Sequence, residues 1–200
     1  RFALFQTNRS GPTPETIRGK ADVKKRKSAL NDFYVKDIIV RNDGGLIFIT
    51  ENYFETIRSG APTVGYGGFY NMSSYGRSIR EYTYGDMLIL SFDNQGGIQW
   101  GEFLRKNQFS QNDQGFYSSY NLMNTGANLV FIYNENLSVK NQTISINAIN
   151  AQGDNMVQRL QGNADKSLTW VPRLGKQTGA LEVIIPCFKA KGLSFAKISF

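Results

Sequence analysis

Glu51, Glu55, Asp86 and Glu135 are the residues whose type could do chemistry, because two carboxylates facing a pocket are what glycoside hydrolysis requires. One would act as the acid and the other as base or nucleophile. Against such a pair, Asp and Glu number only 16, and those in predicted strands fall near strand ends, where a solvated carboxylate is ordinary. Other catalytic machinery is missing. Histidine is absent, which excludes Ser-His-Asp and Cys-His activation of a nucleophile. One cysteine without histidine leaves too few soft ligands for the common zinc sites, so neither metal nor other cofactor is expected. Cys187 cannot form an internal disulfide, and in Ile184-Ile185-Pro186-Cys187-Phe188 it reads as a small buried hydrophobe.

Recognition chemistry is better represented. The stretch 56–84 mixes aromatics with glycine and serine, a combination suited to recognition surfaces when a rigid scaffold carries it. Tyr66, Phe69, Tyr70, Tyr75 and Tyr82 offer apolar contact area, and Arg77 and Arg80 add charge beside those rings. The plainer reading is a long β-ribbon that extends the flanking strands. Gly65-Tyr66-Gly67-Gly68 has no phosphate-loop context. The net charge of +7 is concentrated in Lys24-Lys25-Arg26-Lys27, with Lys189 and Lys191 beside the last strands. No aromatic ladder accompanies the basic run, so it reads as a solvated linker, and a nucleic-acid partner is not expected. The Asn-x-Ser/Thr triplets at Asn8, Asn71, Asn136 and Asn141 occur about as often as chance allows in an Asn- and Ser-rich chain.

The elements that must hold these residues repeat. Asn42-Asp43-Gly44-Gly45-Leu46-Ile47-Phe48-Ile49 resembles the stretch from Asn124 to Ile132, and both resemble Thr178-Gly179-Ala180-Leu181-Glu182-Val183-Ile184-Ile185. A second strand follows each: Met87 to Asp93, Ile144 to Asn150 and Leu193 to Ile198. Short strands recurring at about 50 residues are the pattern of β-propeller blades. The fold expected is all-β, a β-propeller-like repeat of four-stranded antiparallel blades forming an incomplete ring.

The predicted organisation begins with residues 1–32, the end of a preceding strand (Phe2 to Phe5) and a basic linker. A blade over 33–109 carries the insertion 56–84. A second blade covers 115–162, led by Phe116 to Leu122. An incomplete blade covers 168–200, with Leu168 to Pro172, Ala180 to Phe188 and Leu193 to Phe200 as its strands and no fourth. Pro186 is an objection to the middle one, since proline is poorly tolerated in a central strand. Three blades do not close a ring, so a missing N-terminal half or another chain is expected to complete it. No apolar run approaches the roughly 18 residues of a membrane span.

Gly44, Gly96, Gly126, Gly153 and Gly179 are the predicted turn glycines. Ser91-Phe92-Asp93-Asn94-Gln95-Gly96-Gly97-Ile98-Gln99-Trp100 looks like a loose Asp-box hairpin, in which Asp93 would order the turn and Trp100 pack between blades.

Several segments form a familiar set: Asp37 to Gly45, Glu51-Asn52-Tyr53-Phe54, Tyr84-Gly85-Asp86-Met87-Leu88-Ile89, Gly96 to Trp100, Lys106-Asn107-Gln108 and Asp113 to Tyr120. Together they resemble uncharacterised propeller-like proteins of Bacteroidota over about residues 33–135. The resemblance implies the C-terminal portion of a longer exported chain, found in the periplasm, on the outer-membrane surface or secreted. It implies no active site. The expected function is a non-enzymatic binding or scaffold propeller that recognises a protein or glycan partner through its loops. The alternative is a carbohydrate-active hydrolase with a carboxylate pair at the propeller mouth.

Overall fold

The computed structural model describes residues 32–58, 78–137, 142–161, 168–189 and 192–200. These form thirteen strands, all paired antiparallel, and one turn of 3-10 helix. Among the described residues no helix is long and apolar enough to cross a membrane. The strands make three blade-like sheets stacked in chain order. No closed ring is formed by them.

The first sheet runs β1 (Phe33–Val40), β2 (Leu46–Arg58), β3 (Ile79–Phe92), β4 (Ile98–Leu104). β5 (Gln108–Gln111) continues the fourth row, pairing with the early part of β3 while β4 pairs with the late part. Both β2 and β3 run well into the predicted insertion, with Arg58 opposite Ile79. That part of the insertion is therefore a ribbon, and β5 braces it.

The second sheet is β6 (Tyr120–Asn124), β7 (Asn128–Asn134), β8 (Thr143–Asn150), β9 (Asn155–Gln161). Its leading strand starts later than the sequence suggests. Residues before Tyr120 are spent on turns: Asp113 Oδ1 accepts the Ser110 hydroxyl and the Gly115 N–H, and Ser118 N–H bonds Gly115 O.

The third sheet places β12 (Glu182–Lys189) beside β13 (Gly192–Ser199) on one edge. On the other edge β10 (Thr169–Trp170) and β11 (Lys176–Gly179) share one row, separated by the 3-10 turn Pro172–Leu174. The sheet is thus three strands wide. The broken row explains Pro186. In an antiparallel strand a residue's N and O point to the same side. Pro186 O accepts Val171 N–H at 2.9 Å, so its nitrogen also faces the row where the 3-10 turn interrupts pairing. No ladder bond is lost by its missing N–H.

Two apolar layers hold the stack. Ile47, Ile49, Met87, Ile89 and Leu104 from the first sheet meet Tyr120, Leu129, Phe131, Tyr133 and Ile149 from the second. Met123, Val130, Ile132, Ile144 and Ile146 meet Trp170, Val183, Ile185 and Cys187 of the third. β7 supplies alternate residues to both layers, which is why Leu129 to Tyr133 reads as an unbroken apolar run. Each such side chain contributes about 1.5–3 kcal/mol on burial. Buried amides tie the second sheet to the third. Asn121 Nδ2 donates to Gly175 O at 2.7 Å, and Asn134 Nδ2 donates to Tyr117 O and Trp170 O, each at 3.0 Å. Cys187 is buried, and burial pushes its thiol pKa up, away from reactivity.

Candidate functional site

The tight turns lie at one end of the stack and the β2–β3 ribbon at the other, because β2 leaves the first turn and runs toward the ribbon. At the turn end Asp93 Oδ1 accepts the N–H groups of Gln95 and Gly97 at 2.9 and 2.7 Å. Asn150 Oδ1 accepts those of Gln152 and Asp154, both at 2.9 Å. The two turns close with the same backbone bonds, one residue type substituting for the other. Gly96 and Gly153 sit at φ +82° and +91°, as Gly44 and Gly126 do at +83° and +85°. Gly179 differs. It ends β11 opposite Glu182, outside the left-handed region, so the third copy of the motif builds another kind of turn.

Trp100 joins the two sheets. Its indole N–H donates to Ala151 O at 2.9 Å, and a Cβ on Gly153 would stand 2.8 Å from its ring. Beside it a cleft of about 290 Å³ opens between the first and second sheets. Its apolar lining is Ile39, Ile47, Leu129 and Ile149, and its polar lining comes from Arg41 and the amides of Asn42, Asn124, Asn128 and Asn150. The guanidinium is already held: Arg41 Nη1 donates to Ser91 Oγ at 2.7 Å and to Gln99 Oε1, and Nη2 pairs with Asp43. The Asp43 carboxyl is held below the usual range, first by the Gly45 N–H and then by Arg41. The cleft is therefore polar at its edge but carries no unbalanced charge.

The ribbon end of the same seam is closed. Glu51 and Lys106 are both 0% exposed, with Oε1 and Nζ 2.7 Å apart. Ser119 donates its hydroxyl to Glu51 Oε2 at 2.8 Å, and Lys36 approaches the same oxygen at 3.5 Å. Gln108 braces the group by accepting Ser119 N–H at 2.7 Å and donating to Asn134 O at 2.7 Å. Burial lowers the Lys106 pKa, and the Glu51 charge opposes that shift. Tyr120 donates to Asp37 at 2.8 Å, and its phenol is pushed up by burial and then by that carboxylate.

Of the four predicted carboxylates, Glu51 and Asp86 come together only around Lys106, and Glu55 and Glu135 lie apart from them. Glu51 is sealed in the seam, while Asp86 accepts the Lys106 backbone N–H at 2.9 Å. Glu55 lies on the ribbon, paired with Arg80 at 2.9 Å. Glu135 pairs with Arg159. Of the predicted binding residues, Tyr66, Phe69, Tyr70, Tyr75 and Arg77 lie outside the described residues, as do Lys24 to Lys27. Arg80 and Tyr82 line a shallow hollow with Asn112 and Gln114. Tyr82 is only 5% exposed, so most of its ring is packed and is not offered to a partner. Sequence reading missed the cleft. Its only signal was the asparagine that recurs at the turns, Asn42, Asn124 and Asn150, which serves equally well as turn chemistry.

Among the described residues no group of three or more Cys, Asp or Glu is placed to hold a metal ion. No protein-family model, curated protein or solved structure matches this chain.

Proposed function

We propose that this chain is a non-enzymatic binding or scaffold propeller of the bacterial cell envelope or secreted fraction, recognising a protein or glycan partner through its loops. The observation that carries this reading is the cleft at the turn end, a concave site built from three turns and Trp100 on a rigid stack. The envelope address rests on the resemblance of residues 33–135 to the exported Bacteroidota group. A ring completed by a further stretch of the protein or by another chain is part of the same proposal. The outer face of the third sheet supports it, since Leu193 and Phe195 are 54% and 66% exposed there beside Pro186 and Phe188.

The alternative, hydrolysis of a glycan, has less support. It needs two carboxylates that share a pocket and are free to exchange protons. Glu55 and Glu135 are each paired with an arginine elsewhere. Glu51 and Asp86, both at Lys106, are engaged with its buried ammonium and its backbone N–H and line neither the cleft nor the hollow.

The test is capture from envelope extracts by three proteins: the wild type, a deletion of Ala61–Ser78, and Asn42→Ala/Asn128→Ala. Loss of the captured partner in either variant, with thermal stability retained, is the expected result. Equal capture by all three would sink recognition through these loops. Release of reducing ends from a glycan polymer, abolished by Glu55→Gln or Glu135→Gln, would favour the hydrolase.

A further inference from the structure

We infer that the turn-end cleft binds a single neutral pyranose ring, such as a terminal sugar of a glycan; this rests on the binding reading above and narrows it to a ligand class. Size comes first. At about 290 Å³ the cleft lies at the lower limit of ligand pockets, which suits one small ring and not an extended peptide. Charge comes second. The one cation in the lining, Arg41, is balanced by Asp43 and also bonded to Ser91 and Gln99. An anionic ligand would have to displace Asp43 to gain from it, and a cationic ligand would meet a filled guanidinium. The net field favours an uncharged guest.

The distribution of polar and apolar groups comes third. A pyranose carries C–H groups on its faces and hydroxyls around its rim, each hydroxyl both donor and acceptor. Ile39, Ile47, Leu129 and Ile149, with the Trp100 indole, provide the apolar side. At the polar side two amides are uncommitted. Asn124 and Asn150 spend their oxygens on their own turns. Asn42 and Asn128 make no side-chain hydrogen bond among the described residues. A side-chain amide presents one acceptor and two donors, enough to pair with two adjacent hydroxyls. Asn42 from the first sheet and Asn128 from the second would then hold the ring from both sides.

The experiment titrates the full chain with methyl glycosides of glucose, galactose, mannose and N-acetylglucosamine, following indole fluorescence and ligand-observed NMR. Methyl glucuronide and glucosamine serve as charged controls. For a ligand of this size a Kd of about 1–10 mM is expected. Trp170 is buried in the other layer, so a saturable fluorescence change reports Trp100. Asn42→Ala and Asn128→Ala should each weaken binding by about fivefold, and together by tenfold or more, with unchanged thermal stability. Methyl glucuronide should bind no tighter than methyl glucoside.

Four results overturn the inference: no saturable response from any neutral glycoside up to about 100 mM, roughly ten times the expected Kd; binding unaffected in the double variant; tighter binding of the glucuronide; or a response that survives Trp100→Phe unchanged in fluorescence amplitude. If glycosides fail while the wild type still captures a partner that the deletion or the double variant loses, the ligand class is wrong and the binding reading stands. If both fail, both fall.

Discussion

The seam between the first two sheets ends in opposite ways: the turn end is open, with its one charged lining residue, Arg41, balanced by Asp43 at the edge, while the ribbon end is closed around Glu51 and Lys106. β1 and β2 reach both ends, but the closed end also draws on Lys106 between β4 and β5, on Gln108 of β5 and on Ser119 before β6, whereas the open end is lined by Trp100 of β4 and by the turns of the second sheet. A buried ion pair costs several kcal/mol to desolvate and is tolerated only with well-placed partners. Ser119, Gln108 and Lys36 supply them. The arrangement joins β2, β5 and the start of β6 in one geometry, which is a reason for that end to be rigid. At the other end each turn satisfies its own backbone through Asp93, Asn150 or Asn124, so no group is forced to fill the gap between sheets.

The comparison breaks most readily at Glu51. Glu51→Ala leaves Lys106 buried without its main counter-charge and should cost about 3–5 kcal/mol in urea unfolding. Glu51→Gln combined with Lys106→Met should regain most of that loss. A cost below about 1 kcal/mol for the single variant would mean that water reaches the cluster and that the two ends are alike.

A smaller effect is expected at the turn end. Gly153→Ala must hold φ +91° and press a methyl against the Trp100 ring, for about 2–3 kcal/mol. Gly126→Ala shares the positive φ but meets nothing within 4 Å, so about 1 kcal/mol is expected. Equal losses by thermal denaturation would show that Trp100 yields freely. Asp93→Ala and Asn150→Ala each remove a side-chain oxygen that accepts two backbone N–H groups and should cost about 1–2 kcal/mol, while Asn42→Ala should stay within about 0.5 kcal/mol. A cost at Asn42 matching that at Asn150 would mean that its amide is structural and not free for a ligand.

The mildest expectation concerns pH. Burial raises the phenol pKa of Tyr53 to about 12 and also raises those of Tyr84, Tyr120 and Tyr133. Between pH of about 10 and those raised values the unfolded chain has lost protons that the folded chain retains, so stability falls as pH rises. Lys106 acts in the opposite sense. Its folded pKa is lowered, so below about 10.5 the unfolded chain binds the extra proton and stability rises with pH. Four tyrosines against one lysine give a net fall in Tm between about pH 9.5 and 11. Tyr120→Phe should flatten that fall, and an unchanged slope would count against burial of that phenol in the seam.

Much of the architecture was legible from the chain. The recurring turn followed by apolar runs implied antiparallel four-stranded units, and Thr143–Asn150 is a strand as its alternation suggests. Local signals of this kind survive because turn chemistry and side-chain period act within a few residues. Tyr120 was harder to place as a strand start, since Phe116 to Ser119 has strand-like composition but is taken by the Asp113 turn and by Ser119 at φ +72°. Pro186 looked like an objection until the row beside it proved to be broken.

What the sequence by itself determined is the class of fold: all-β, made of antiparallel sheets, without histidine chemistry, and with one buried thiol. What only the tertiary structure decided is where polar groups meet. Glu51 pairs with Lys106 and Ser119, and Asn42 and Asn128 line one cleft, although each set comes from segments far apart in the chain. A strand's period states which residues share a face, but not which face of another sheet will lie against it. Charge burial and ligand geometry depend on that second fact, because a Coulombic or hydrogen-bonded contact is decided over a few ångströms.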